Sequence, residues 1–334
     1  MEKYNFFVGC DISKSSFDVS FKIPGYDVDY LGQFTNNQEG FKEMEMQLKE
    51  STSSSHSTWL ICFENTGVYS KSILEWLVSR MIACKEENPI QISKSLGIRR
   101  GKSDKADSKD ICQYCYEKRD VIVPSKLSNP LFIELRKLLS RRDTLVRHKQ
   151  SLEQSVNEQK GSLNPKLKKL FVKQNEALLK VMNKQIEELD REIKKTMEED
   201  DTMNNNGKLI KSVIGVGPVI SAYMIAVTEN FSCFTDSRKF ASYSGVAPFE
   251  NSSGKTQGKT RVSHFANKKI KSLLSNAVIA AVQHDREIKQ YFERKIKEGK
   301  PKGVIYNAIK NKIIHRIFAV VKRQTPYVPL ATYK

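Results

Sequence analysis

Four carboxylates occupy positions from which they can act together. Asp11 follows directly on the apolar run Tyr4-Asn5-Phe6-Phe7-Val8-Gly9-Cys10 and leads into Ile12-Ser13-Lys14. Glu64 closes a second run, Trp59-Leu60-Ile61-Cys62-Phe63, and leads into Asn65-Thr66-Gly67-Val68-Tyr69. Asp104 and Asp107 stand three apart in Lys102-Ser103-Asp104-Lys105-Ala106-Asp107, which puts both on one face of a helix. Magnesium takes hard oxygen ligands, usually a few carboxylates plus substrate phosphates. Two such ions about 3.5–4 Å apart stabilise both the attacking and the leaving oxygen at a phosphodiester. Singly, each acid has a plainer role: Asp11 as a turn residue, Asp104 as an ion-pair partner of Arg99, Arg100, Lys102 or Lys105. As an ordered set, they point to phosphoryl transfer.

Such a set works only if the chain gathers it, and the hydropathy pattern supplies the elements. Residues 4–10 read as a buried strand. Phe17, Val19, Phe21 and Ile23 alternate with polar residues as in a half-buried strand, and a third strand follows over Val28 to Phe34. Phe41, Met44 and Leu48 form one stripe of a helix over residues 37–50. The run at 59–63 reads as a strand, residues around Ile73 to Leu77 as a helix, Pro89-Ile90-Gln91-Ile92 as a further strand and Lys105 to Glu117 as a helix. This order predicts an α/β domain with a mixed sheet over residues 1–125.

The pattern then changes. Leu131, Leu138, Leu145 and Leu152 are seven apart, as are Val172, Leu179, Ile186 and Ile193, with Gly161 and Pro165 between the two series. Heptads flanked by charge predict a central antiparallel coiled coil over 126–204, either a hairpin within one chain or a seam between chains. From 205 to 334 a globular, mainly helical pattern returns. Ile214-Gly215-Val216-Gly217-Pro218 is expected as a turn between two apolar helices, and such a turn can offer backbone N–H groups to a phosphate. Phe240 to Pro248 is expected as a loop, Asn267 to His284 as a basic helix and 301–323 as a helix.

Charge divides the chain unevenly. Its 334 residues carry 56 Lys and Arg against 38 Asp and Glu, a net +18. Residues 208–334 hold 23 of these cations and only 7 of the acids, whereas residues 1–207 are nearly balanced at 33 against 31. A basic C-terminal third fits a polyanion-binding surface, most simply nucleic acid. No basic leader with a long apolar run opens the sequence, and the longest apolar stretch, Val213 to Val227, is too short and too glycine-rich to span a membrane. The six cysteines have no framework spacing, and Cys112-x-x-Cys115 lacks a second pair for zinc. A cytoplasmic protein without structural disulfides and without a membrane partner is expected.

The three acid-bearing segments, in this order, resemble the DEDD signature of the one-ten insertion-sequence transposases, relatives of the Piv and MooV DNA invertases. Ile214-Gly215-Val216-Gly217-Pro218, Phe240-Ala241-Ser242-Tyr243-Ser244-Gly245-Val246-Ala247-Pro248 and Ser252-Ser253-Gly254-Lys255 resemble that family's second domain. The resemblance implies an RNase H-like (RuvC-like) N-terminal domain whose Asp11, Glu64, Asp104 and Asp107 bind Mg2+. It implies a mainly α C-terminal transposase domain with a serine nucleophile, Ser253, with the adjacent Ser252 as the alternative. A single Gly254-Lys255 stands where Gly-Gly-Lys is common in the family. The resemblance further implies a homo-oligomer, dimer or tetramer, with an active site shared between protomers, acting on element-end and target DNA and guided by a non-coding bridge RNA.

The surrounding cations fit that reading. Lys102, Lys105, Lys255, Lys259, Arg261, Lys268, Lys269 and Lys271 are expected to hold nucleic-acid phosphates, contacts that give affinity without sequence information. Two alternatives make different demands. A RuvC-like, structure-selective nuclease using water has no need of Ser253; a non-catalytic nucleic-acid-bridging protein has no need of the four acids.

Overall fold

A computed structural model of the chain describes residues 4–52, 55–95, 97, 103–159, 164–249, 252–253, 256–257, 261–262 and 266–329. The chain divides into two compact units, residues 1–127 and 128–334.

The first unit is built on a five-stranded sheet: β1 (Phe6–Ile12), β2 (Ser16–Lys22), β3 (Asp29–Thr35), β4 (Trp59–Glu64) and β5 (Ala83–Glu87), in the order β3-β2-β1-β4-β5. β1, β2 and β3 pair antiparallel, and β4 and β5 add parallel to β1. This mixed order is consistent with an RNase H-like fold. Side chains alternate across the sheet as the period of two requires. Phe6, Val8 and Cys10 of β1 and Trp59, Ile61 and Phe63 of β4 face α1 (Gln38–Thr52) and α2 (Lys71–Ser79), burying Phe41, Met44, Leu48, Ile73 and Leu77. Phe7, Leu60 and Cys62 face the other way, onto Ile92 of α3 (Pro89–Ser95) and Ile111, Tyr114 and Cys115 of α4 (Asp104–Glu117).

Residues 89–92 are not the strand expected from their apolar residues. The strand lies earlier, at β5, and Pro89 opens α3. The Asn88 side chain accepts the Ile90 N–H, and proline fits a first helical turn, where its missing N–H costs nothing.

α4 lies unusually close to β1, and Gly9 is the reason. A Cβ at Gly9 would stand 2.2 Å from the Cys112 backbone nitrogen and 2.4 Å from the Ser108 carbonyl oxygen. Ser108 also meets Ser20, the cross-strand neighbour of Gly9, in a buried 2.8 Å hydrogen bond. Farther along, the Cys112 thiol donates to the Phe7 carbonyl, and Tyr116 packs edge-on to Phe7 at 5.2 Å. α4 therefore runs antiparallel to β1, and its first turn stands over the carboxyl end of that strand.

The second unit is helical. α5 (Pro130–Gln159) and α6 (Pro165–Glu198) pack on each other, joined by Arg142, which donates two hydrogen bonds to Asp190 at 2.6 and 3.1 Å. Leu135, Leu139 and Ile193 enter the unit's core, whereas Leu167, Leu170, Leu178 and Val181 near the other end of the hairpin are exposed. That core is completed by α7 (Asp201–Lys211), α8 (Pro218–Thr228), α9 (Ser237–Tyr243), α10 (Lys268–His284), α11 (Arg286–Lys297) and α12 (Lys302–Arg323). In the α7–α8 turn, Gly215 has φ +92°, and a Cβ there would meet the Ala277 carbonyl of α10 at 2.4 Å. This glycine serves a close helix approach.

Residues 240–248 are not all loop, as expected from their small and polar residues. Asp236 caps α9 by accepting the Arg238 N–H, and the helix runs on through Tyr243. All six cysteines are free, and among the described residues no helix is long and apolar enough to cross a membrane.

Gly9→Ala is expected to destabilise the chain by about 3 kcal/mol, because the colliding atoms are backbone and cannot turn away. Chemical denaturation measures this directly; a variant as stable as the parent would show that α4 does not lie on β1 as described.

Candidate active site

The four acids are brought to one end of the first unit. Asp11 and Glu64 lie one residue beyond the paired positions Cys10 and Phe63 of the parallel strands β1 and β4. Alternation turns both toward α4. Ser103 caps that helix by accepting the Ala106 N–H, so Asp104 and Asp107 fall in its first turn, where the helix dipole favours negative charge.

The register shows that they belong to a wider row. Asp11 pairs across β2 with Asp18, and Glu64 pairs across β5 with Glu87. Asp18, Asp11, Glu64 and Glu87 thus form a line of acids over four adjacent strands, all on the α4 face. The outer two are held by hydrogen bonds. Tyr30 donates to Asp18 at 2.6 Å and Gln33 at 3.0 Å, both from β3; Tyr114 of α4 donates to Glu87 at 3.0 Å, and the Asn88 N–H donates to it at 2.9 Å. Burial and the paired carboxylates push the Tyr30 hydroxyl up to about 12 and raise the Tyr114 hydroxyl as well, so both remain donors.

Asp11 bears the electrostatic load. Desolvation first, then the charges of Asp107, Glu64, Asp104 and Asp18, push its pKa up from 3.8 to about 6. Among the described residues no group of three or more His, Cys, Asp or Glu is gathered tightly enough to enclose an ion by itself. The donor set is nevertheless made of hard oxygens whose mutual repulsion a cation relieves, and this fits a magnesium site completed by phosphate oxygens.

The cations expected to bind nucleic acid separate into distinct environments. Lys105 sits over the Tyr30 ring at 4.6 Å, beside the acid row. Lys268 is exposed at the start of α10 and Lys271 is half-buried one turn on. Lys269 is neutralised by Asp143 at 2.6 Å, and the same carboxylate accepts the Tyr223 hydroxyl, so this lysine ties α10 to α5 and α8. Lys102, Lys255 and Lys259 lie outside the described residues.

For Ser252, Ser253 and Arg261 the backbone alone is described. β7 (Ser252–Ser253) pairs antiparallel with β8 (Thr256–Gln257), Ser253 opposite Thr256. β6 (Pro248–Phe249) pairs with β9 (Arg261–Val262), Phe249 opposite Arg261. The outer pairs are centred on Lys255 and the inner ones half a residue earlier. The two ladders are therefore nested in sequence with a one-residue register offset, and Ser253 is the last paired residue of the ascending side.

With this geometry in hand, comparison with known proteins is decisive. Residues 8–159 match the DEDD transposase domain of IS110 elements, and residues 207–293 match the transposase domain described as the IS116/IS110/IS902 family. The chain belongs to the IS110 family of transposases. It is 26% identical to the pilin gene-inverting protein of Moraxella bovis over 96% of this chain and 97% of that protein. The pilin gene-inverting protein of Moraxella lacunata is 27% identical over the same shares. An uncharacterised protein of insertion element IS116 from Streptomyces clavuligerus is 26% identical over 29% of this chain and 24% of its own length. Membership places the chain among DNA recombinases.

Sequence reasoning missed Asp18 and Glu87. The alternation Phe17-x-Val19 already put Asp18 on the face opposite the apolar one; Glu87 was hidden because β5 was sought at 89–92.

Folding raises the Asp11 pKa, so the folded chain holds that proton more tightly than the unfolded one. The associated stability is fully present below pH about 4 and is lost as pH rises through about 6. Asp11→Asn should therefore be more stable than the parent at pH 7.5 without divalent ions, by about 1 kcal/mol once solvent screening of the half-buried carboxyl is allowed for, and should show no advantage at pH 4. Thermal unfolding at both pH values tests this; equal stability at pH 7.5 would remove the repulsion assigned to Asp11.

Proposed function

We propose that this chain is a transposase that cuts and rejoins insertion-element and target DNA through a covalent bond between Ser253 and DNA. The observation that carries the proposal is the convergence of Asp11 and Glu64 at neighbouring strand ends beneath the first turn of α4, which bears Asp104 and Asp107.

Asp11, Glu64, Asp104 and Asp107 would hold Mg2+, which when bound supplies positive charge to a phosphodiester in transfer. The Ser253 hydroxyl attacks phosphorus and forms a new P–O bond as the bond to one deoxyribose oxygen breaks. The serine proton passes to a base and a proton reaches the departing oxygen. The phosphoserine keeps the ester bond energy, so a second deoxyribose hydroxyl can displace the serine and reseal the strand. Hydrolysis would discard that energy. Lys105 beside the acids and the lysines around α10 would position the strand. In this proposal the acids and serine come from different protomers of a homo-oligomer, and a bridge RNA selects element and target DNA by pairing.

The test is a denaturing gel of the chain with labelled element DNA, its flanking transcript and Mg2+. A retarded, protease-sensitive band is expected. It should vanish in Ser253→Ala and fall at least 100-fold in Asp11→Asn or Glu64→Gln, each of which should still bind nucleic acid. Cleavage without adduct would indicate water as nucleophile. An adduct surviving in Ser253→Ala but lost in Ser252→Ala would move the nucleophile by one residue. Omitting the transcript tests the guide, since retention of full site-specific cleavage would exclude it.

A further inference from the structure

A cavity of about 720 Å³ opens in the second unit where the last turns of α6 meet α7 and the start of α8. Its volume lies within the range of about 300–1,000 Å³ usual for small-ligand sites. Ile193 and Met197 of α6 and Val219 of α8 give it an apolar lining. The same three side chains belong to the unit's core or pack against it, so the fold holds the lining in place.

The charges around this hollow do not balance. Two carboxylates line it, and both are taken: Asp190 accepts from Arg142 at 2.6 Å, and Glu198 pairs with Lys194 at 3.7 Å. Arg191, Lys208 and Lys211 line it as well, all three exposed. Among the described residues none of the three has an ion pair or a side-chain hydrogen bond. Lys208 and Lys211 stand three apart on α7 and so share one face of that helix. Arg142, Lys269 and Arg316, by contrast, each have a carboxylate within 2.7 Å.

An apolar hollow rimmed by uncompensated cations suits a ligand with a flat apolar body and an anionic handle. A nucleotide has both. Paired bases are locked in the duplex stack, so only an unpaired base can enter a pocket between helices. Strands that are cut and rejoined to new partners must come apart locally, which makes such bases available. We infer that this cavity receives one unpaired base of the bound nucleic acid, with Arg191, Lys208 and Lys211 holding the phosphates beside it. This rests on nucleic acid being the substrate, as in the proposed function, and is independent of the serine and acid chemistry.

The experiment uses the full chain without divalent ions, so that no strand is cut. Two labelled probes, an oligothymidylate of about 12 nucleotides and an abasic oligomer of equal length, are followed by fluorescence anisotropy over a salt series. Val219→Phe, which fills the hollow without changing charge, should bind oligothymidylate about 10-fold more weakly at an unchanged salt slope and leave the abasic oligomer unaffected. Lys208→Met and Lys211→Met should each lower the slope of log K against log salt by about 0.7 on both probes. If Val219→Phe binds oligothymidylate as the parent does, or loses both probes equally, no base enters the cavity and the inference is overturned. A mixed Glu and Leu peptide that binds the parent but not Val219→Phe, while oligothymidylate binds both alike, would reassign the cavity to a protein partner. Should Val219→Phe fail to fold, photocrosslinking of the unaltered chain to an oligomer carrying 4-thiothymidine decides. Crosslinks at Met197 or Val219 are expected, and a bound oligomer that crosslinks only elsewhere overturns the site. A parent chain with base-dependent binding but no adduct would sink the proposed chemistry and leave this site standing; an adduct-forming chain indifferent to Val219→Phe would do the reverse.

Discussion

Like charges gathered across a sheet repel, and the first unit is organised around containing that repulsion. Asp18, Asp11, Glu64 and Glu87 stand in one line over β2, β1, β4 and β5. At the flanks the cost is offset by donors that cannot ionise at neutral pH, Tyr30 and Tyr114. Nearer the centre, Asp11 registers it as a raised pKa. The helix above adds two further acids, and its amino-terminal dipole and the Ser103 cap make the first turn tolerant of them. The result is a cluster of hard-oxygen donors at the carboxyl ends of β1 and β4 and the first turn of α4.

The second unit solves a different problem. Its core is broad and apolar, built from α5 to α12, and carries few charges; those it does bury are matched individually, as Arg316 is by Asp285 at 2.7 Å and Glu287 at 2.6 Å. Against that practice the buried Lys310 stands out. The basic excess counted in the sequence therefore includes cations absorbed into the scaffold, such as Lys269.

Much of this was readable from residue order. Strand alternation in β1, β2 and β4, the stripe of α1 and the acid-bearing segments sit where their periods placed them, because burial on a sheet face leaves a strong pattern. What failed did so for local reasons. Pro89-Ile90-Gln91-Ile92 carries strand-like residues, but Asn88 and Pro89 make a helix start, and only Ile92 turns inward. Phe240 to Tyr243 looked like loop because the cap that starts α9, Asp236, lies outside the apolar segment. The acid row could not be read as a row, since cross-strand register is set by pairing between distant residues and leaves no mark at either one alone. The heptads predicted an antiparallel coiled coil over 126–204, and of this the structure shows that α5 and α6 pack on each other; the exposure of Leu167, Leu170, Leu178 and Val181 follows from α6 having a second apolar stripe that the spacing of seven does not single out.

Gly9 links the two halves of this arrangement, for its missing side chain is what lets a helix settle onto a strand. Every possible replacement, however small, adds at least one carbon to the same crowded spot. Position 9 thus admits no gradual path of change: a lineage that loses this glycine would have to rebuild the seat of α4 at the same time, and the spacing between the strand acids and the helix acids would be renegotiated with it.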